Sequence, residues 1–277
     1  MKTLARLSWG MTISCIALIA ANVAHAVDAR IERYDFSPLF QKANVQGTFV
    51  LLDAQSGKTL RYNPERARTR FLPASTYKIP NSIIALETGV ATGADFSLKW
   101  DSMLVPRQSW WPPVWAQDHT LRTALSSSVV WYYKELARRI GPERMQSYVD
   151  RFDYGNQNIS GGIDQFWLRG GLRISADEQI KFLQRFYDGK LGVSERTTQT
   201  VKDILVLEQT PDYRLSGKSG WAGMGDPTVS QVGWFVGYLE RAERVYFFAI
   251  NIDIKKPEDA QARLSIIKAG LRDLGLI

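Results

Sequence analysis

The 277-residue sequence predicts a mixed α/β protein of the α+β type: one central antiparallel sheet flanked by helices, with a helical lobe inserted between its strands. Three observations lead there. Runs rich in β-branched and apolar residues lie near both ends, a block with helical periodicity fills the middle, and no repeat, low-complexity segment or linker divides the chain. The expected organisation is a signal segment at 1–26 and one domain over 27–277. Its sheet lobe spans about 27–72 and 203–277, and its helical lobe about 73–202.

The elements follow in order. Lys2 and Arg6 make a basic start, Met11 to Ala20 is apolar, and Ala24-His25-Ala26 is an A-x-A cleavage site; together they predict a secretory signal cut after Ala26. The single cysteine, Cys15, falls inside it, so the mature chain is expected to have neither a disulfide nor a thiol nucleophile. Tyr34 to Phe40 reads as a helix or an extended arm. Thr48 to Ala54 reads as a buried strand turned by Gln55-Ser56-Gly57 into Lys58 to Asn63. Ile79 to Glu87 reads as a helix closed by Gly89. Leu121 to Ile140 is helix-rich, punctuated by Gly141-Pro142. Glu143 to Phe152 and Ser175 to Tyr187 repeat the 3.6-residue period, the second opened by a Ser175/Glu178 capping box. Strands are expected again at Asp212–Ser219, Val232–Glu240 and Arg244–Ile254, before a C-terminal helix opened by Pro257-Glu258-Asp259 and ending near Gly275.

Apolar residues make up 45% of the chain and aromatics 12%, enough for a substantial core. The net charge of +7 falls to +5 once Lys2 and Arg6 leave with the signal. Lysines and arginines are dispersed rather than blocked, so a solvated basic surface is favoured over a nucleic-acid or membrane partner.

The chemistry is concentrated in Pro73-Ala74-Ser75-Thr76-Tyr77-Lys78-Ile79-Pro80. Residues three apart share a helix face, which sets the Lys78 amine beside the Ser75 hydroxyl. A serine needs a base to become a nucleophile, and His119, the one histidine left after signal removal, has no evident tie to a serine. Lysine is therefore the natural base for acyl transfer here. About one Ser-x-x-Lys match is expected by chance in such a chain, and Ser265-Ile266-Ile267-Lys268 is a second, read as a solvated helix face. Context separates the two. Pro73 and Ala74 place Ser75 near a helix N-terminus, which favours an oxyanion, and Ile79 and Ile83 dry the surroundings of Lys78, which lowers an amine's pKa.

Three further motifs acquire meaning together. Ser128, in Leu125-Ser126-Ser127-Ser128-Val129-Val130, offers a hydroxyl for proton transfer, though alone it is more often an N-cap. Lys218-Ser219-Gly220, at the end of a predicted strand, offers an ammonium, a hydroxyl and a backbone edge to a carboxylate; alone it is more often a strand-end turn. Tyr154-Gly155-Asn156 alone is a turn.

As an ordered set with Ser160-Gly161-Gly162-Ile163-Asp164-Gln165-Phe166-Trp167-Leu168, these motifs resemble the penicillin-recognising serine enzymes. Within them the chain resembles the class D, oxacillinase-type β-lactamases from about Gln46 to the C-terminus. The resemblance implies hydrolysis of the β-lactam amide of penicillin-type antibiotics through an acyl-enzyme on Ser75. It implies Lys78 as a CO2-carbamylated general base, with Trp167 donating to the carbamate and Val130 and Leu168 as its apolar walls. Ser128 and Lys218 match the proton-transfer pair, and the Ser75 and Trp221 N–H groups the oxyanion hole. Arg263, with Ser219 and Gly220 nearby, matches the group that binds the substrate carboxylate, and Trp115 a position lining the entrance. CO2 or bicarbonate is the one small molecule required besides substrate, and no metal is implied. Ser219 stands where threonine is commoner, and Trp131 where proline often stands. Trp110 and Trp111 are expected to pack under their loop.

The resemblance also implies a periplasmic protein, off the membrane after signal cleavage, either monomer or homodimer. Substrate spectrum turns on the loops Trp110–Trp115 and Trp221–Val232. Rival readings are a transpeptidase or D-Ala-D-Ala carboxypeptidase, a β-lactam sensor that is acylated without turnover, and a carbohydrate-binding protein. The Tyr154–Leu168 block opposes the first, the cleavable signal opposes the second, and the Ser75–Lys78 pair opposes the third.

Overall fold

The computed structural model describes residues 34–224, 226 and 229–277. The expected signal segment, with Cys15, lies outside the described residues. Six strands form one antiparallel sheet: β1 (Gly47–Asp53), β2 (Thr59–Tyr62), β5 (Val206–Gln209), β6 (Arg214–Ala222), β7 (Val232–Arg241) and β8 (Arg244–Asp253), in spatial order β2-β1-β8-β7-β6-β5. The two remaining strands, β3 (Ser97–Leu98) and β4 (His119–Thr120), pair only with each other.

The central strands read as unbroken apolar runs because both faces of the sheet are covered. On β8, Phe247 and Ala249 face one core while Phe248, Ile250 and Ile252 face the other. β7 alternates likewise, with Trp234, Val236 and Tyr238 on the first face and Phe235 and Leu239 on the second. The second face is closed by α1 (Ser37–Ala43) and the C-terminal α9 (Ala262–Asp273), which pack together where Phe36 lies against Gly270. A Cβ at Gly270 would stand 2.2 Å from the Phe36 ring, so the contact requires glycine.

The first face carries the helical lobe: α2 (Pro64–Arg68), α3 (Lys78–Glu87), α4 (Leu121–Ser126), α5 (Val130–Ile140), α6 (Pro142–Arg151), α7 (Ala176–Tyr187) and α8 (Glu195–Ile204). The capping box expected at Ser175/Glu178 is present at the start of α7.

Several expectations shift. The helix-rich stretch Leu121–Ile140 is two helices, broken at Ser127–Val129, where Ser128 takes a positive φ of 59°. Val129 rather than Ser128 is the N-cap of α5, and no side chain caps it. The strand expected at Asp212–Ser219 runs from Arg214 to Ala222, which puts Lys218 inside a strand rather than at its end. Pairing with the longer β7 carries β6 past the turn-like Ser219-Gly220.

Candidate active site

Ser75 sits in a 3-10 turn, Ala74–Tyr77, that feeds directly into α3. Side chains three apart eclipse in a 3-10 turn, and Lys78 Nζ donates to Ser75 Oγ at 2.7 Å. Ala74, just before Ser75, has a φ of 49°, a left-handed conformation that costs a non-glycine residue about 1 kcal/mol. The turn is held in it from several sides. Ala74 N–H donates to Trp167 O at 3.0 Å, Thr76 Oγ1 donates to Pro73 O at 2.8 Å, and Gln179 Nε2 of α7 donates to Thr76 Oγ1 at 2.9 Å.

Lys78 is fully buried, and its pKa lies well below the usual lysine range, first because of burial and then because of Lys218. Its ammonium position lies 5.4 Å from the centre of the Tyr133 ring, whose hydroxyl pairs with Ser82 at 2.8 Å. Trp167, also fully buried, stacks on Tyr77 with ring centroids 5.6 Å apart. Its indole Nε1–H has no hydrogen-bond partner. An unmatched donor in a dry core costs free energy.

Across the cleft, Lys218 Nζ donates to Ser128 Oγ at 3.0 Å and to Ser219 O at 3.0 Å. The Lys218 pKa is pulled down to about 7 by burial and then by Arg263. β6 approaches the Ser75 turn so closely that a Cβ at Gly220 would stand 3.0 Å from Pro73 O. Beyond the short β5 the outer edge of β6 is open. Gly217 N–H points to that edge, donating to Leu205 O at 3.0 Å, and strand alternation puts the Trp221 N–H on the same edge, facing the Ser75 turn.

Arg263, the second residue of α9, donates through Nη1 to Gly220 O at 2.5 Å and through Nε to Ala260 O at 2.6 Å. Among the described residues Nη2 makes no hydrogen bond. Burial lowers the Arg263 pKa to about 10, so the guanidinium stays charged near neutrality.

These groups border one cleft of about 680 Å³. Ser75, Ser128, Val130, Leu168, Ser219, Gly220, Trp221, Arg263 and Trp115 line it, whereas Lys78, Lys218 and Trp167 lie buried beneath its surface. Trp111 packs under the loop as expected, at 7% exposure. Trp110 does not: it is 43% exposed and lines the cleft, stacked edge-on against Trp115. Trp111 and Trp115 in turn meet edge-on, with ring centroids 5.6 Å apart.

Tyr154-Gly155-Asn156 takes no part in lining. It buttresses the loop that carries Trp167: Asn156 Nδ2 donates to Gly171 O at 2.9 Å and Asn156 Oδ1 accepts from Arg173 N–H at 2.8 Å. Gly155 has a φ of 59°, and a Cβ there would stand 2.0 Å from Arg173 O. His119 is buried away from any serine, bonded to Val114 O and Thr123 Oγ1. The second Ser-x-x-Lys match is not a pair: Ser265 Oγ donates to Ala262 O and Lys268 Nζ pairs with Glu208.

Sequence reasoning missed the function of Trp131. Its indole donates to Trp115 O at 2.7 Å, while the Trp115 indole donates to Ser127 O at 2.8 Å. This relay ties the cleft entrance to the Ser128 bend. The only signal for it was an indole where the related sequences often have proline.

The sequence matches the family described as "Penicillin binding protein transpeptidase domain" over residues 47–272. It is 40% identical to β-lactamase OXA-10 of Pseudomonas aeruginosa over 267 residues, 96% of this chain and 98% of that one. It is also 37% identical over 226 residues to the regulatory protein BlaR1 of Bacillus licheniformis, matching 36% of that longer chain. Among solved structures, the class D β-lactamase YbXI from Nostoc superposes with a TM-score of 0.83 at 43% identity, covering 88% of this chain and 99% of that one. The fold, the near full-length identity and these structural neighbours place the chain in the class D serine β-lactamase family.

Proposed function

We propose that the protein hydrolyses the β-lactam amide of penicillin-type antibiotics through an acyl-enzyme on Ser75, with carbamylated Lys78 as general base. The observation that carries this reading is a fully buried amine, its pKa lowered by burial, 2.7 Å from a serine hydroxyl, together with a buried Trp167 indole N–H that has no partner among the described residues. A neutral amine reacts with CO2, and the resulting anion needs a donor and apolar walls. Trp167 Nε1 supplies the donor, and Val130 and Leu168 the walls.

In the first half-reaction Ser75 Oγ gives its proton to the base on Lys78 and attacks the lactam carbonyl. The N–H groups of Ser75 and Trp221 stabilise the oxygen as it gains charge. The C–N bond breaks and the ring nitrogen takes a proton along the Ser128–Lys218 pair. Arg263 Nη2, with Ser219, holds the substrate carboxylate. In the second, water adds to the Ser75 ester, Ser75 is released, and the opened acid leaves. No step requires a metal.

The signal-like start supports export to the periplasm, and monomer and homodimer both remain compatible with the fold. Among the described residues no helix is long and apolar enough to cross a membrane.

The similarity to BlaR1 favours one second reading, acylation without turnover. A chromogenic cephalosporin separates the two. Many turnovers per protein, with the adduct of a slow β-lactam found by mass spectrometry on the peptide carrying Ser75, supports hydrolysis. A single stoichiometric burst supports a sensor, as would be expected also of a transpeptidase-like protein, and an adduct on Ser128 or Ser265 overturns the nucleophile assignment.

A further inference from the structure

The cleft carries charge that the proposed reaction does not use. Lys134 stands one turn after Val130 on α5, and Arg169 directly follows Leu168, so two basic side chains lie just beyond the apolar walls and both line the cleft. Neither makes a side-chain hydrogen bond or ion pair among the described residues. The carboxylates that would neutralise them are committed elsewhere. Asp164 accepts two bonds from Arg138, at 2.9 and 3.2 Å, and Glu135 pairs with Arg138 and Arg139. The one acidic residue lining the cleft, Asp226, belongs to the segment that follows β6.

Lys134 is half-buried, and its pKa lies below the usual lysine range, chiefly from burial, with Arg138 and Arg169 adding to the depression against Asp164. An ammonium that is partly desolvated without a partner gains more from an incoming anion than a fully solvated one. Arg169 is exposed and adds a second charge of the same sign to the same cleft.

We propose that Lys134 and Arg169 form a second anion subsite, which recognises β-lactams whose acyl side chain bears its own carboxylate or sulfonate. The inference rests on the hydrolytic reading above and adds a substrate class to it. The ring carboxylate is held at the Arg263 end, Ser75 lies between, and the side-chain anion reaches past Val130 and Leu168 toward the helical lobe. Such a dianionic substrate meets positive charge at both ends of the cleft.

The test compares benzylpenicillin with α-carboxybenzylpenicillin, which differ by one carboxylate on the side chain, using kcat/KM for the full chain and for Lys134→Gln/Arg169→Gln. The ratio of the dianionic to the monoanionic substrate is expected to fall about tenfold in the double variant, mainly through KM, with the single Arg169→Gln change giving a smaller drop in the same direction. Added salt is expected to lower the wild-type ratio, because Arg169 is solvated and screened. A ratio equal in wild type and double variant overturns the subsite while leaving the hydrolytic reading intact. A wild type that turns over neither penicillin instead overturns the hydrolytic reading, and the subsite with it.

Discussion

The proposed role of Lys78 as base depends on where its amine is kept. Burial, with Lys218 as like-charged company, holds Lys78 well below its ordinary pKa, and the single hydroxyl within reach is that of the proposed nucleophile. Turnover is therefore expected to drop in CO2-depleted buffer at mildly acidic pH, where protonation competes with carbamylation of the amine, and to return on adding bicarbonate. Activity that ignores bicarbonate throughout would leave a plain amine as the base. Trp167→Phe keeps the stacking on Tyr77 but removes a buried indole N–H that has no partner among the described residues. A hydrogen bond to a charged group is worth about 1.5–3 kcal/mol, so carbamylation should weaken by roughly ten- to a hundredfold, with deacylation suffering more than acylation. Unchanged bicarbonate dependence in that variant would reduce Trp167 to a core aromatic.

At the scale of elements, the site is a meeting of parts from distant stretches of sequence. The C-terminal helix α9 sends Arg263 under β6, where two carbonyl oxygens fix its planar fork. Arg263→Ala is expected to raise KM for penicillins about tenfold or more with kcat less affected, since the interaction is shared by ground and transition states. Equal kinetics on several penicillins would place the carboxylate elsewhere. The entrance loop and the Ser128 bend are joined through Trp131 and Trp115. Trp131→Phe deletes the bond to Trp115 O and should cost about 1 kcal/mol, a fall in Tm of roughly 2–4 °C by calorimetry. A Tm within half a degree of wild type would show that the relay carries no stability.

The whole molecule carries the cost of two buried lysines, and the sign of that cost with pH is definite. Lys218 has a folded pKa of about 7 and Lys78 one well below its ordinary value, so from about pH 7 to 10 the unfolded chain binds more protons than the folded one. Stability from these groups therefore rises with pH across that window. Buried tyrosines act in the opposite sense. Tyr133, Tyr154 and Tyr238 are raised by burial, so above about pH 10 the unfolded chain loses protons that the folded one keeps, and stability falls. In CO2-free buffer the Tm should climb between pH 7 and 9, and Lys218→Gln should flatten the climb. A flat or falling wild-type profile over that range would mean that Lys218 keeps its proton in the fold. Bicarbonate should blunt the rise as well, because a negative charge on Lys78 favours the protonated form of Lys218.

The sequence by itself determined what depends on local spacing and on order along the chain. The three-residue step from Ser75 to Lys78, the Ser175/Glu178 cap, the β1–β2 hairpin and the antiparallel run of β7 and β8 are all short-range patterns, and the ordered motifs identified the family. It did not reveal α2 or β5, whose five and four residues are too short for a period to register, nor α8, although Ser194 caps it. The tertiary structure alone decided which groups face one another. Lys218 is 90 residues from the Ser128 it contacts, and Gly220 is 43 from Arg263. Trp110 lines the cleft edge-on to Trp115, and Trp131 becomes a tie only because Trp115 O lies opposite it. Lys134 and Arg169 read in sequence as ordinary surface charges. They come together because the fold brings both to the lining of one cleft, while Arg138 holds the hydrogen bonds of Asp164.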